Sequence, residues 1–115
     1  MVPLFYHYNM NHLSCSKRGC VVEYKAALVF LEAGFEVFPN MAPDGPADFI
    51  VWDGVTAYPI DTKKVSRYLR VDGTANYSGV TSGKRHPHVY YLGWCEQDGF
   101  MWLSQEVPQA LLNVI

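Results

Sequence analysis

Two aspartates and a lysine are the residues of this chain whose types and spacing most directly suggest chemistry. Asp48 is followed thirteen residues later by Asp61, and Lys63 stands two residues beyond it. Carboxylate oxygens are the ligands that hard divalent cations prefer. An ammonium group beside such a site can neutralise developing negative charge. If the fold brings them together, the three residues predict a divalent cation site with a lysine next to it.

The elements that would bring these residues together are two strands joined by a tight turn. Asp53-Gly54 lies between two alternating apolar runs. Glycine tolerates the positive φ of a two-residue hairpin turn, so this dipeptide is a strong hairpin signal. The turn predicts that Trp52 pairs with Val55, which fixes the register of the two strands.

In that register Asp48 lies opposite Pro59. The period of two along a strand then places Asp61 and Lys63 on the same face as Asp48. Diagonal neighbours on one face are about 7 to 8 Å apart, so the two carboxylates can converge on one ion. Pro59 cannot donate to the ladder, and it predicts an edge position or a bulge that would change the face used by Asp61.

A helix is predicted to precede the hairpin. Apolar residues recur at helical spacing over residues 16–33, with Ser14 or Ser16 able to cap the start and Gly34 able to end the helix. Glu23 lies near the first turns. It is a third acid that this helix can supply to the site.

The other segments complete an α/β pattern in the order helix, strand, hairpin, loop, hairpin, helix. Residues 35–46 contain a short strand and a turn-rich loop. Residues 64–86 lack an apolar period and are rich in Gly, Ser and Thr, which predicts a long basic loop. Strands are expected at 88–95 and 100–103. Ser104 then caps a C-terminal helix whose apolar side is Val107, Ala110, Leu111, Val114 and Ile115.

Composition indicates one folded domain over residues 1–115, with 1–14 a possible N-terminal arm. Half of the residues are apolar and 17% are charged, which is typical of a globular protein. No run of about 20 apolar residues and no signal-peptide pattern is present, so we expect a cytoplasmic protein without a membrane span. Three cysteines without a dense spacing pattern favour reduced thiols.

Charge is unevenly distributed along the chain. Residues 62–86 hold six basic residues against Asp72 alone, a net charge of +5, which leaves −7 for the rest of a chain whose net charge is −2. A basic segment that begins at an acidic site suits a phosphate-bearing ligand whose reacting group sits on a metal. The alternative is a solvated loop that is basic by chance.

The joint pattern of acids and lysine resembles the PD-(D/E)XK nuclease superfamily. Its two strand motifs correspond to Pro-Ala-Asp at positions 46–48 and Asp-Thr-Lys at positions 61–63. The chain departs from the commonest form in two ways, since one extra residue separates the proline from its aspartate and the second acid is Asp where Glu is commoner.

A closer likeness is to the archaeal-type and phage Holliday junction resolvases and related small endonucleases. Their first helix opens with a basic residue, Gly, three residues and Glu, matched here from Arg18 to Glu23. A Gly-aromatic turn into a strand follows, matched by Gly34-Phe35. The resemblance covers residues 17–64 and implies a restriction-endonuclease-like α/β fold, with a central mixed sheet of about five strands flanked by helices.

The resemblance also implies roles for individual residues. Asp48 and Asp61 would hold Mg²⁺, for which Mn²⁺ would substitute, and the backbone carbonyl of Thr62 would be a further ligand. Glu23 would complete the acidic cluster directly or through water. Lys63 would position or help to deprotonate the attacking water, or neutralise charge on the phosphate.

The expected activity is metal-dependent hydrolysis of phosphodiester bonds in branched or duplex DNA. Cutting both strands of a junction needs two active sites, so a resolvase would be a homodimer. The alternatives are a homing or repair-type endonuclease or nickase, and a non-catalytic nucleic-acid-binding module of the same fold. A phage-encoded protein would act in the host cytoplasm. The residues expected to contact DNA are Lys17, Arg18, Lys64, Arg67, Arg70, Lys84 and Arg85.

Two further groups of residues allow other interpretations. His12, Cys15 and Cys20 could ligate zinc with His7, although their spacing is irregular and the cysteines could instead pack at the helix start. Tyr68 and Tyr77 could stack on splayed bases or pack against the sheet. His86 and His88 could contact phosphate or lie on the surface.

Overall fold

The computed structural model describes residues 12–42, 44–79 and 85–115. It shows an α/β domain with one substantial helix, a five-stranded mixed sheet and a separate two-stranded hairpin. The helices are α1 (Cys15–Glu32) and α2 (Gln109–Leu112). The strands are β1 (Glu36–Pro39), β2 (Phe49–Trp52), β3 (Ala57–Lys64), β4 (Ser66–Leu69), β5 (Ala75–Ser78), β6 (Tyr90–Cys95) and β7 (Gly99–Trp102).

Helix α1 confirms the predicted first helix. The Ser14 hydroxyl accepts a hydrogen bond from the Lys17 amide at 3.2 Å, so Ser14 is the N-cap. Gly34 ends the helix at φ 95°, a left-handed conformation that glycine adopts without strain. The helix buries one face against the sheet, formed by Val22, Lys25, Ala26 and Phe30.

The five-stranded sheet has the order β1-β2-β3-β6-β7, which confirms the expected mixed sheet. Strands β3 and β6 are parallel, and the other neighbours are antiparallel. The helix packs on the face of the sheet that carries the core residues Phe49, Val51, Ile60 and Leu92. Because side chains alternate along a strand, Asp61 and Lys63 leave β3 on the other face.

The predicted two-residue turn between β2 and β3 is wrong. Trp52 pairs with Ala57, so four residues form the connection. The Asp53 carboxylate accepts hydrogen bonds from the amides of Val55 at 2.9 Å and Thr56 at 2.7 Å, and these bonds stabilise the longer loop. The register therefore shifts by two residues, an even number that leaves every side chain on its predicted face.

Pro59 lies within a central strand, contrary to the expected edge or bulge. It pairs with Ile50 in an unbroken register. Alternate residues of a strand direct their amides to opposite edges, and the Thr62 amide faces the β2 side. The missing N–H of Pro59 therefore faces β6, whose ladder begins one residue later at Ile60↔Tyr90. No hydrogen bond of the ladder is lost.

The long basic loop predicted for residues 64–86 is wrong over much of its length, because β4 and β5 form an antiparallel hairpin there. Asp72 accepts hydrogen bonds from the amide and hydroxyl of Thr74, at 2.9 and 2.6 Å, and Gly73 adopts φ 88°. An Asp-Gly dipeptide favours a hairpin turn, and the loop prediction did not take this signal at positions 72–73 into account. Residues 80–84, which include Lys84, lie outside the described residues.

The C-terminal helix is shorter than predicted. Helix α2 begins after Pro108, and its Leu111 is buried in the core. Ser104 does not cap it, since the Ser104 hydroxyl accepts a hydrogen bond from the Tyr91 amide at 2.9 Å. The expectation that helices flank the sheet is therefore correct only for α1 as a substantial helix. In the described part of the chain, neither helix is long and apolar enough to cross a membrane.

Candidate active site

The site lies where β3 extends beyond the start of β2. The last pair of the β2–β3 ladder is Phe49↔Ile60, and the Asp48 amide donates to the Ile60 carbonyl at 2.9 Å. This bond is one residue out of step with the ladder, in which Phe49 is the partner of Ile60, so Asp48 lies beside the end of the ladder. The predicted pairing of Asp48 with Pro59 is wrong, since Pro59 pairs with Ile50, but the Asp48 carboxyl group is still close enough to Asp61 to act on it.

The Asp48 side chain replaces a strand partner on this exposed edge of β3. Its Oδ2 accepts hydrogen bonds from the Thr62 amide at 2.7 Å and the Thr62 hydroxyl at 2.8 Å. These two bonds fix the orientation of the Asp48 carboxylate. The amide and carbonyl of one strand residue point to the same edge, so the Thr62 carbonyl also faces the side occupied by Asp48.

Asp61 and Lys63 lie side by side on one face of β3, as the alternation of the strand requires. The Lys63 Nζ is 2.9 Å from the Asp61 Oδ2, and Asp61 is only 8% exposed. Burial raises the pKa of Asp61, and the nearby Asp48 carboxylate raises it further. The hydrogen bond and charge of Lys63 oppose this shift without cancelling it.

Glu23 reaches the same cluster from helix α1. Its carboxyl group is close enough to Asp48 and Asp61 to feel the charge of both. Burial, followed by the repulsion and hydrogen bond of Asp48, raises the pKa of Glu23 to about 7. Asp48 is therefore the centre of the cluster, since it raises the pKa of both Glu23 and Asp61.

The carboxyl groups of the site and the Thr62 carbonyl are oxygen donors that could hold a divalent cation. With all groups ionised, three carboxylates and one ammonium leave a formal charge of −2 on neighbouring atoms. Hard carboxylate and carbonyl oxygens are the ligands that Mg²⁺ takes, usually one or two carboxylates with several waters. Asp48, Asp61 and the Thr62 carbonyl fit that description.

The described residues contain no group of three or more His, Cys, Asp or Glu side chains placed to hold a metal ion together. The same finding covers His12, Cys15 and Cys20, the described members of the zinc alternative. The fourth, His7, lies outside the described residues. Cys15, Cys20 and Cys95 are free thiols.

Tyr91 is a site residue that sequence reasoning missed. It pairs with Asp61 across the parallel ladder, and its ring lies 5.9 Å from the Lys63 Nζ and 4.4 Å from the Arg85 guanidinium carbon. Both distances allow a cation–π contact. The Tyr91 hydroxyl also accepts a hydrogen bond from the His86 amide at 2.6 Å. Tyr91 is placed beside Asp61 by the parallel pairing of β3 with β6, and the sequence alone does not specify the register of that pairing.

The predicted DNA-contacting residues are placed differently from one another. Lys64 is exposed beside the site, and Arg85 is brought to it through Tyr91. Arg67 forms an ion pair with Asp98 at 3.6 Å, whereas Arg70 lies at the exposed end of the β4–β5 hairpin.

The other two predicted DNA contacts lie in the first turns of α1. Lys17 is exposed, and an Arg18 guanidinium nitrogen lies 3.9 Å from the Cys15 sulfur. The two tyrosines of the basic segment also differ. Tyr77 donates a hydrogen bond to Asp98 at 2.8 Å, whereas Tyr68 is 48% exposed.

No protein-family model, curated protein or solved structure matches the chain. Its function must therefore be inferred from its own geometry.

Proposed function

We propose that this protein is a metal-dependent endodeoxyribonuclease of the PD-(D/E)XK type. The observation that carries the proposal is the Asp61–Lys63 ion pair at 2.9 Å beside Asp48, whose carboxylate is held by Thr62 at 2.7 and 2.8 Å. Carboxylate oxygens gathered beside one lysine are the kind of ligands that a hard divalent cation takes.

Each residue would have a distinct task. Asp48 and Asp61 would hold Mg²⁺, with the Thr62 carbonyl as a further ligand and Glu23 acting directly or through water. The ion, when bound, supplies charge neutralisation and an activated water. Lys63 would orient that water or neutralise the phosphate as one P–O bond forms and another breaks. The Thr62 amide and hydroxyl keep the Asp48 carboxylate in place.

Basic residues near the site favour DNA as the substrate. Lys64 follows Lys63 directly, and Arg85 packs on the same tyrosine ring as Lys63. Both cations can contact phosphates that flank the reacting one. We propose a structure-selective, junction-resolving activity carried out by a homodimer, with nicking or linear-duplex cleavage as the second form of the same chemistry.

A cleavage panel tests the proposal. End-labelled four-way junctions, flaps, nicked, single-stranded and linear duplex DNA are incubated with Mg²⁺ or Mn²⁺ and either the wild type or Asp48→Asn. We expect cleavage of the junction by the wild type and none by the variant. Cleavage of linear or nicked duplex alone would replace the resolvase with a nickase or repair-type enzyme.

The same panel separates an enzyme from a binding module. If the wild type binds the substrates but cuts none of them with either metal, the nuclease proposal is wrong and the chain is a non-catalytic DNA-binding domain. Glu36→Gln serves as the matched control, because Glu36 is an exposed acid on β1.

A further inference from the structure

The β4–β5 hairpin lies outside the main sheet and contributes no residue to the hydrophobic core. Its strands form a two-stranded sheet apart from the main one, and all four residues of β4 are exposed. A two-stranded ribbon is marginally stable by itself in water. Because the hairpin has no buried apolar face of its own, contacts with the rest of the domain must hold it in place.

The ribbon is fixed at its base. Arg67 and Tyr77 are register partners, and both contact Asp98 in the β6–β7 turn, at 3.6 and 2.8 Å. At the end of β5, Gly79 passes so close to β3 that an added Cβ would lie 2.9 Å from the Lys64 carbonyl oxygen. These contacts orient the ribbon relative to the carboxylate site.

The opposite face of the ribbon carries exposed side chains, among them Tyr68, which is 48% exposed. Side chains alternate along each strand, so Tyr68 and its register partner Asn76 lie on the face opposite Arg67 and Tyr77. The Asn76 amide donates to the Tyr68 hydroxyl at 2.6 Å. This outer face, completed by Ser66 and Ser78, presents amide and hydroxyl groups of the kind that read base edges.

The tip of the ribbon carries apolar side chains and positive charge together. Val71 is fully exposed, Leu69 is 66% exposed, and Arg70 lies between them. Across residues 66–78, Arg67 and Arg70 outnumber Asp72, so the ribbon carries a formal charge of +1. A basic ribbon with a polar face and an apolar tip is complementary to a nucleic-acid groove bordered by phosphates.

Dimensions favour the major groove. At about 3.3 Å per residue, Ser66 begins within about 10 Å of Lys63 along the chain, and the tip projects about 17 Å further. The major groove of B-DNA is about 12 Å wide and admits a two-stranded ribbon, whereas the minor groove is about half as wide. We propose that the β4–β5 ribbon enters the major groove of duplex DNA beside the phosphate that the carboxylate site attacks.

The position beside the attacked phosphate rests on the proposed nuclease function, but groove binding itself does not. Affinity for a labelled duplex is therefore measured by fluorescence anisotropy with Ca²⁺ in place of Mg²⁺. Val71→Asp places a negative charge at the ribbon tip, and Val55→Asp is the matched control, because Val55 is 90% exposed in the β2–β3 turn. We expect Val71→Asp to weaken binding about tenfold and Val55→Asp to leave it within about twofold.

Groove choice is tested with the same assay. Bulky substituents at C5 of the pyrimidines project into the major groove and should weaken binding of the wild type, while a minor-groove ligand should not compete. Competition by the minor-groove ligand, or wild-type affinity of Val71→Asp, would overturn the proposal. So would a change in sedimentation of Val71→Asp at unchanged DNA affinity, since the tip would then contact another copy of the chain.

The two proposals fail in distinguishable ways. Loss of affinity in Val71→Asp together with a wild type that never cuts DNA supports the ribbon and refutes the nuclease. A wild type that cuts DNA together with a Val71→Asp variant that binds and cuts equally well supports the nuclease and refutes the ribbon.

Discussion

Glu23 shows at the scale of one residue how the cluster is tuned. Its raised pKa, about 7, arises from burial and from Asp48, so its charged form is disfavoured when no cation is present. A carboxyl group whose pKa is raised on folding stabilises the fold below its unfolded pKa and loses that contribution as pH rises through the folded value. Asp61 shifts in the same direction.

The first prediction follows from the direction of these two pKa shifts. In chelator-containing buffer, the wild type should lose thermal stability between about pH 4.5 and pH 7, and Glu23→Gln should lose less over the same interval. Thermal unfolding followed by circular dichroism across that pH range measures the difference. Glu32→Gln, an exposed acid in the last turn of the same helix, is the control. Equal pH dependence in Glu23→Gln and the wild type would remove Glu23 from the cluster.

Lys63 and Lys64 are adjacent in sequence but point to opposite faces of β3, which allows a second prediction. Lys63→Gln removes the ammonium next to Asp61 and should slow single-turnover cleavage by about 10²-fold with little loss of DNA affinity. Lys64→Gln should mainly weaken affinity, because the exposed lysine can contact only a flanking phosphate. Equal cleavage rates for the two variants at saturating DNA would contradict the role given to Lys63.

At the scale of elements, the β3 edge joins the carboxylate site to the ribbon. Gly79 and Gly73 both have φ near +88°, at 89° and 88°, but only Gly79 faces a neighbour, the Lys64 carbonyl. Substituting alanine at either position adds the strain of a left-handed residue, about 1 to 2 kcal/mol. Only at Gly79 does the new methyl group also collide with backbone.

The third prediction uses this matched pair. Gly79→Ala should lower the free energy of unfolding by about 1 to 3 kcal/mol more than Gly73→Ala. Chemical denaturation of the two variants measures the difference. Gly79→Ala should also weaken duplex binding, because the ribbon shifts relative to β3. Equal stability of the two variants would show that the ribbon base is not held against Lys64.

Elements with a strong local pattern were predictable from the sequence. Helix α1, its Ser14 cap and the strands that alternate around Asp53-Gly54 follow from periodicity and turn chemistry. The length of that turn did not follow from the sequence. The Asp53 side chain stabilises a four-residue loop by hydrogen bonds, which the Asp-Gly preference for two-residue turns does not take into account. The β4–β5 hairpin was missed because its strands are short and lack an apolar alternation.

The sequence predicted which residues form the candidate site better than it predicted how those residues are arranged. The β2–β3 register differs from the predicted one by an even number of residues, which keeps each side chain on the same face of the sheet. Asp48, Asp61 and Lys63 therefore still lie close to one another. The Thr62 bonds to Asp48 and the contacts of Tyr91 depend on how β3 lies between β2 and β6. That arrangement is set by tertiary packing, which no spacing rule in the sequence specifies.

At the scale of the whole molecule, one chain supplies one carboxylate cluster. Cleavage of both strands of a junction then requires two copies related by a two-fold axis. The face of the sheet that carries Asp61 also exposes Phe38, Ile50 and Trp52 in β1 and β2.

The fourth prediction is that the protein sediments as a dimer at the concentrations at which it cuts junctions. Analytical ultracentrifugation across a dilution series, alongside junction cleavage at each concentration, measures both properties. Paired cuts by a protein that remains a monomer would contradict the symmetric resolvase. A monomer that makes single cuts fits the nickase instead.

The most direct test of the metal-site proposal is single-turnover cleavage of the substrate that the panel identifies, by the wild type and Asp61→Asn, with Mg²⁺ and with chelator. Asp61→Asn keeps the shape of the side chain but removes a metal ligand and the partner of Lys63. We predict Mg²⁺-dependent cleavage by the wild type, a loss of at least about 10³-fold in Asp61→Asn, and wild-type cleavage by Glu36→Gln. Cleavage by Asp61→Asn at the wild-type rate, or by the wild type in chelator, would contradict the metal site at Asp48 and Asp61.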